Sequence, residues 1–209
     1  MEQKESDFYK RTAEVFLKNG IREITMDDMA RELKVSKKTL YKYVSDRAEL
    51  VTKSMMWKMS DNINALTAIT AKNLNAIEEL CEITNFYCGN LQGVHPSIHI
   101  DLNKYYLDAW NCYVDYRNTF LYSVILSNLE KGVAQGLYRS NFNAEVITKI
   151  FISKVDAVFD PRMFPNSKFN FSEVYLDMMR YHFKGIVSAE GLVMVKNVLG
   201  EKCILTNNF

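Results

Sequence analysis

Apolar residues recur along this chain at intervals of three and four, and no stretch keeps the two-residue alternation of a half-buried strand. The pattern predicts an all-α protein. Phe8, Ala13, Val15 and Phe16 mark a first helix over Lys4 to Asn19, stopped by Gly20, a residue suited to a helix C-cap. Met26, Met29, Ala30 and Leu33 give a short second helix. Thr25 stands before it as an N-cap, with Asp27 and Asp28 in the first turn, where the helix dipole favours negative charge. Ser36 caps a third helix, Lys37 to Tyr43, only eleven residues after Thr25. Two short helices starting so close together must cross through a tight turn, which is the helix-turn-helix arrangement.

The pattern resumes at once through Leu50, Val51, Met55, Trp57, Met59, Ile63 and Leu66, with no Gly or Pro, so one long helix is expected from Arg47. Further helices are predicted over Asn73 to Tyr87, Ile98 to Tyr106 and Trp110 to Gln135. Two more, 146–159 and 174–187, flank a loop at Pro165 and are apolar on more than one face. Glu190 to Phe209 is expected to add a short helical tail. The 209 residues suit two cores, a small unit at 1–47 and a larger helical domain at 48–209.

Charge changes the picture locally. The whole chain carries a formal +1, yet Lys34, Lys37, Lys38, Lys42 and Arg47 face a single acidic residue, Asp46, within their span. In the third helix only Leu40 is clearly apolar, so burial alone does not account for it. A basic patch on a near-neutral chain, interleaved with hydroxyls that donate to phosphate oxygens, is a footprint for nucleic acid. The candidate contacts are Thr25, Ser36, Lys37, Lys38, Thr39, Tyr41, Lys42, Tyr43 and Arg47. A merely solvated lysine-rich face is the competing reading of the same residues.

Composition removes other classes. With 48% hydrophobic and 24% charged residues the chain is an ordinary folded protein. It has no apolar leader and no run near the roughly 18 apolar residues of a bilayer crossing, so a cytoplasmic protein is expected. His95 and His99 share the i, i+4 spacing of metal ligands but lack a third, and Pro96 sets His95 outside the helix. No nucleophile elbow or phosphate-cradling glycine loop is present. Neither enzyme activity nor a cofactor is expected. Cys81, Cys88, Cys112 and Cys203 are scattered, and reduced thiols are expected at all four.

The segment GIREITMDDMARELKVSKKTLYKYVSDRAEL resembles the DNA-binding domain of the TetR family of bacterial transcriptional regulators, over Phe8 to Leu50. In that likeness Gly20 ends the first helix, Thr25 caps the second, Met29-Ala30 is the buried pair, Val35-Ser36 makes the turn, and Thr39-Leu40-Tyr41-x-Tyr43 forms the recognition helix. Lys34 stands where the family generally has Gly, which places a non-Gly residue at positive φ at a cost of about 1 kcal/mol. Val44 and Arg47 replace a common Phe and Lys. Glu130 to Ile147 resembles a second family feature, with Gly132 and Gly136 as a spaced pair, Tyr138-Arg139 as an aromatic-Arg step, and Asn141 where Asp is commoner, capping the next helix.

The resemblance implies a homodimer, most often a repressor, that binds a roughly palindromic double-stranded operator and responds to a small-molecule effector. Aromatic residues crowd the stretch from Phe86 to Tyr122, and Phe86, Tyr106, Trp110 and Tyr113 are the expected lining of an effector pocket. Ile150, Phe151, Val158, Met179 and Phe183 are expected to pair across the two-fold axis. The alternative from another class is a helical ligand-binding protein that acts through a protein partner without DNA recognition. The lysines at 37, 38 and 42 count against it.

Overall fold

Helices follow one another along the chain of the computed structural model, which describes residues 2–165 and 167–195. They are α1 (Glu2–Asn19), α2 (Met26–Leu33), α3 (Lys37–Leu40), α4 (Arg47–Thr70), α5 (Ala76–Leu91), α6 (Ile98–Tyr105), α7 (Leu107–Tyr116), α8 (Tyr122–Ala134), α9 (Ala144–Val158), α10 (Phe171–Ile186) and α11 (Ala189–Met194). Among the described residues no strand forms, and an isolated bridge pairs Tyr138 with Val187. No helix among them is long and apolar enough to cross a membrane. The tail expected at Glu190 to Phe209 is helical over α11, and its remainder lies outside the described residues.

Two compact units result. The first runs to Asn64 and includes Gly93–Tyr116; the second comprises Ala65–Gln92 and the chain from Arg117 onward. The boundary falls inside α4, and residues 1–47 lie wholly within the first unit, which also takes in α6 and α7.

In the first unit, Phe8, Ala13 and Phe16 of α1 share one core with Met29, Ala30, Leu33, Leu40, Leu50, Val51 and Met55. Ile98, Leu102 and Ala109 of α6 and α7 belong to the same core. Gly20 ends α1 at φ +88°, and a Cβ there would stand 2.9 Å from Nδ1 of His95. Glycine thus serves both the left-handed turn and the close approach. The His95 amide donates to the Leu17 carbonyl at 2.6 Å, while the His95 ring, the Ser97 hydroxyl and the Asp101 carboxylate form a chain at 3.0 and 2.7 Å. The start of α6 is therefore tied directly to the end of α1.

In the second unit, Asn75 caps α5 in a reciprocal box with Glu78, so the helix expected from Asn73 starts at Ala76. The single helix expected over Trp110 to Gln135 is instead α7, a π-helical turn at Arg117–Leu121, and α8. Helical periodicity gives no warning of such a turn, because one inserted residue shifts the apolar face without removing it. At the far end of α8, Gly136 takes φ +71° and the Leu137 and Tyr138 amides both donate to the Gly132 carbonyl. The Tyr138 ring then packs on Gly132, and its hydroxyl bonds the Ala76 carbonyl and Asn128 Oδ1, each at 3.0 Å. Asn128 donates to Glu79 at 2.8 Å, and Lys131 closes the cluster on the other Glu79 oxygen at 2.8 Å. The cap of α9 is Asn143, whose side chain accepts from Val146 N, and not the expected Asn141. Both asparagines precede the helix within one turn, and spacing alone does not choose between them.

Phe151 and Val158 of α9, and Met179 and Phe183 of α10, fill this unit's own core. Of the five residues expected at a subunit interface, Ile150 alone is exposed, at 43%. The spacing identifies an apolar face correctly but does not say whether it meets the chain's own helices or a partner's. Val146 (51% exposed) and Tyr181 (71%) are the apolar residues that these helices turn outward beside Ile150. Cys88 and Cys112 carry free thiols, with burial pushing both upward in pKa, whereas Cys81 is disulfide-bonded, which corrects the expectation of four reduced thiols.

His182 lies in the α9–α10 core with its ring 5.0 Å from that of Phe151. Burial first, and the Lys154 charge second, lower its pKa from 6.5 to about 4. The unfolded chain therefore binds the extra proton between these values. The His182 contribution is complete above pH 6.5 and is lost as pH falls towards 4, amounting to about 3 kcal/mol in all. Urea unfolding at intervals across that window is expected to show a steeper loss of stability in the parent than in His182→Gln; parallel curves would contradict it.

Candidate nucleic-acid interface

The α2–α3 pair is built by its caps. The Thr25 hydroxyl accepts from the Asp28 amide at 3.1 Å and donates to the Asp28 carboxylate, which also accepts from the Thr25 amide at 3.0 Å. These bonds hold the Asp28 carboxyl below its usual range. Lys34 closes α2 in the left-handed region at φ 57°, as expected for a residue standing at a glycine position, and its amide reaches back to Arg31 O. Ser36 then caps α3 by accepting from Thr39 N at 3.1 Å, with the two hydroxyls 2.8 Å apart.

The third helix is shorter than expected. Only Lys37–Leu40 is α-helical, and Lys42 N and Tyr43 N continue the turn by bonding the Thr39 and Leu40 carbonyls, three residues back. Leu40, fully buried, pins this segment to the core. Ser36, Lys37, Lys38, Tyr41 and Lys42 are exposed around it, with Thr39 half-buried. One buried anchor surrounded by exposed basic and hydroxyl side chains makes a protruding turn, of a size to enter a DNA major groove.

Two of the candidates have internal work. The Arg47 side chain is half-buried and donates to the Ile21 carbonyl, which ties the start of α4 to the loop after α1. The Tyr43 ring stacks on Phe8 with centroids 4.2 Å apart and planes 13° apart. Its carbonyl accepts from Tyr9 Oη and Lys53 Nζ, each at 3.2 Å. Lys53 in turn pairs with Glu49 at 2.9 Å. The amide of Ser45, followed by Lys53, lowers the Glu49 pKa to about 2. Lys37 pairs with Asp27 at 3.0 Å in an exposed bridge that raises its pKa and keeps it charged.

Arg11 and Lys53 were not among the expected residues. They brace the motif from behind, Arg11 by donating to the Leu33 carbonyl at 2.7 Å and Lys53 through the Tyr43 carbonyl. The i, i+4 spacing of Glu49 and Lys53 is the one sequence signal that pointed to the second. Among the described residues Lys38 and Lys42, unlike Lys37, pair with no carboxylate, and Thr25 is spent on its cap.

The four aromatic residues expected to line an effector pocket do not share a unit. Tyr106 and Trp110 pack against the core of the first unit. Trp110 and Tyr113 stand 5.3 Å apart, each edge-on to His99 at 4.7 and 5.4 Å. Phe86 belongs to the second unit, beside Tyr87.

Residues 9–53 match the family model described as bacterial regulatory proteins, tetR family. The uncharacterized HTH-type transcriptional regulator YvaF of Bacillus subtilis (strain 168) is 25% identical over 168 residues, covering 79% of this chain and 87% of that one. Among solved structures, a TetR-family transcriptional regulator from Agrobacterium tumefaciens superposes with a TM-score of 0.70 at 14% identity, covering 90% of this chain and all of that one (100%). The regulator FadR from Bacillus subtilis, solved with stearoyl-CoA, gives 0.63 at 15% identity over 86% and 97%. At such identities the structural likeness is one of fold.

Proposed function

We propose, from the premise that this chain belongs to the TetR family of bacterial regulatory proteins, that it is a homodimeric cytoplasmic repressor whose two α2–α3 pairs hold a roughly palindromic operator until a small-molecule effector releases it. The observation that carries the reading is the α3 turn: Leu40 sunk in the core, with Ser36, Lys37, Lys38, Tyr41 and Lys42 exposed around it. In this reading Lys37, Lys38 and Lys42 neutralise phosphates, Ser36, Thr39 and Tyr41 meet base edges or sugars, and Tyr43, Thr25 and Arg47 fix the turn.

Dimerisation uses the outward apolar residues of α9 and α10, Val146, Ile150 and Tyr181. A neighbouring apolar cavity of about 400 Å³, between the end of α9, Met163, Phe164 and Phe169 of the connection, and the start of α10, extends the same surface. Two-fold symmetry of the protein then matches the symmetry of the operator.

Release requires the effector to prefer a state in which the two turns are misaligned, and tenfold release needs about 1.4 kcal/mol of such preference. Two connections reach the DNA-binding part. One is α4, unbroken from Arg47 to Thr70; the other is the bond of His95 to Leu17, which joins the start of α6 to α1. The second was not foreseen, and it makes α6 and α7 candidates for transmitting the signal. The acyl-CoA held by the B. subtilis FadR supports a small organic effector in this architecture.

Footprinting on the DNA upstream of the chain's own gene tests the proposal. Two protected half-sites, centred about 34 Å apart or a multiple of it, are expected. Absence of protection would favour a ligand-binding protein that works through a protein partner, and uniform protection at all sequences would contradict a specific operator.

A further inference from the structure

The outward side of α9 and α10 carries an unmatched pair of charges. Lys154 is half-buried near the end of α9, with its ammonium 4.6 Å from the centroid of the Tyr181 ring. Glu173 stands exposed in the first turn of α10. Both line the apolar cavity of about 400 Å³ between the two helices, together with Val158, Phe164 and Val174. Among the described residues neither Lys154 nor Glu173 pairs with an opposite charge, whereas Asp177, the other carboxylate of that cavity, is held by Arg180 at 3.1 Å.

Water meets both charges in a single chain. In a dimer closed through Val146, Ile150 and Tyr181 it no longer reaches Lys154 freely, because the ammonium lies against Tyr181, one of the residues so covered. A cation that loses water without gaining a counter-charge weakens an interface strongly. In its own chain Glu173 lines the α10 side of the cavity without reaching Lys154, so the counter-charge has to come from the second copy. A two-fold interface uses one patch on both sides, and each contact of one residue with another is made twice. The carboxylate of this patch left unpaired is Glu173. Setting α9 against the second copy's α9 at this level would instead bring two ammonium groups together.

We propose that two copies of this chain dock with the end of α9 of one against the start of α10 of the other, so that Lys154 pairs with Glu173 of the partner subunit twice across the two-fold axis. The second copy then covers the apolar cavity. The inference rests on the dimer of the proposed function and adds its register and the charge pair that selects it. Charges placed in this way fix register and exclude wrong partners more than they add affinity.

Sedimentation equilibrium at micromolar protein tests it, on the parent, Lys154→Glu, Glu173→Lys and an equimolar mixture of the two variants, with circular dichroism to confirm helix content. Each variant alone sets like charges face to face twice, and its dissociation constant is expected to rise about a hundredfold or more. In the mixture each variant supplies the charge that the other lacks, so mixed dimers are expected with nearly the parent's affinity. A pair formed inside one chain could not produce that recovery. The milder Lys154→Gln and Glu173→Gln are expected to weaken the dimer about tenfold each, and no further when combined, as two residues in contact require. Variants as dimeric as the parent, no recovery on mixing, additive losses in the glutamine pair, or equal recovery when Asp177→Lys takes the place of Glu173→Lys would each overturn the pairing while leaving a dimer. A monomeric parent would overturn the dimer itself.

Discussion

Changing Ile150 and Tyr181 together to glutamate is expected to leave a folded monomer that no longer holds its operator. Both side chains are exposed in the single chain, so the substitutions disturb no contact of the subunit's own core. In a two-fold interface each change occurs twice, and an uncompensated buried charge costs about 3–5 kcal/mol. Even one such term shifts the dimer dissociation constant more than about a hundredfold. DNA affinity is expected to fall with it, because two linked half-site contacts exceed either alone by about 10²–10⁴-fold. Sedimentation equilibrium at micromolar protein, with circular dichroism to confirm helix content, reads both effects. A variant that remains dimeric would remove this surface from the interface.

Gly132→Ala is expected to have the largest effect on stability. The added methyl would fall inside the Tyr138 ring, whose Cγ lies 2.6 Å from the ideal Cβ position. The ring has little room to retreat, since it is fully buried and its hydroxyl is held by Ala76 and Asn128. Overpacking costs about 1–3 kcal/mol, and displacing the ring adds about 1–3 kcal/mol for each buried polar partner left unpaired. Urea unfolding is expected to show a loss of at least about 3 kcal/mol, against well under 1 kcal/mol for Gly185→Ala, where nothing stands within 4 Å of the Cβ position. Near-equal losses at the two sites would show that the ring relaxes freely.

These two positions also separate what was legible in the sequence from what was not. Thr25, Lys34 and Ser36 act through bonds to residues no more than four positions away; local spacing revealed the two caps, and the resemblance implied the left-handed residue between them. Gly132, Gly136 and Tyr138 were recognisable as a family feature, and the structure supplies its reason: one glycine for the turn, the other for the ring. Long-range partners were invisible. Arg47 looked like one more basic residue of the recognition segment, and only the fold brings it to the Ile21 carbonyl. Phe151, Val158, Met179 and Phe183 had the periodicity of an interface, but their neighbours are helices of their own chain. The π-turn at Arg117–Leu121 leaves no periodic trace.

The most direct test of the central claim is the salt dependence of binding to upstream DNA for the parent and for Lys38→Ala with Lys42→Ala. With Lys37, Lys38 and Lys42 on each of two chains, the slope of log K against log salt is expected to approach −5 in the parent, at roughly −0.9 per phosphate. Removing two contacts per chain should bring it to about −2, with affinity at low salt falling steeply. Neither lysine is buried, so folding is not at issue. A variant with the parent's slope and affinity would contradict the assignment of this turn to DNA.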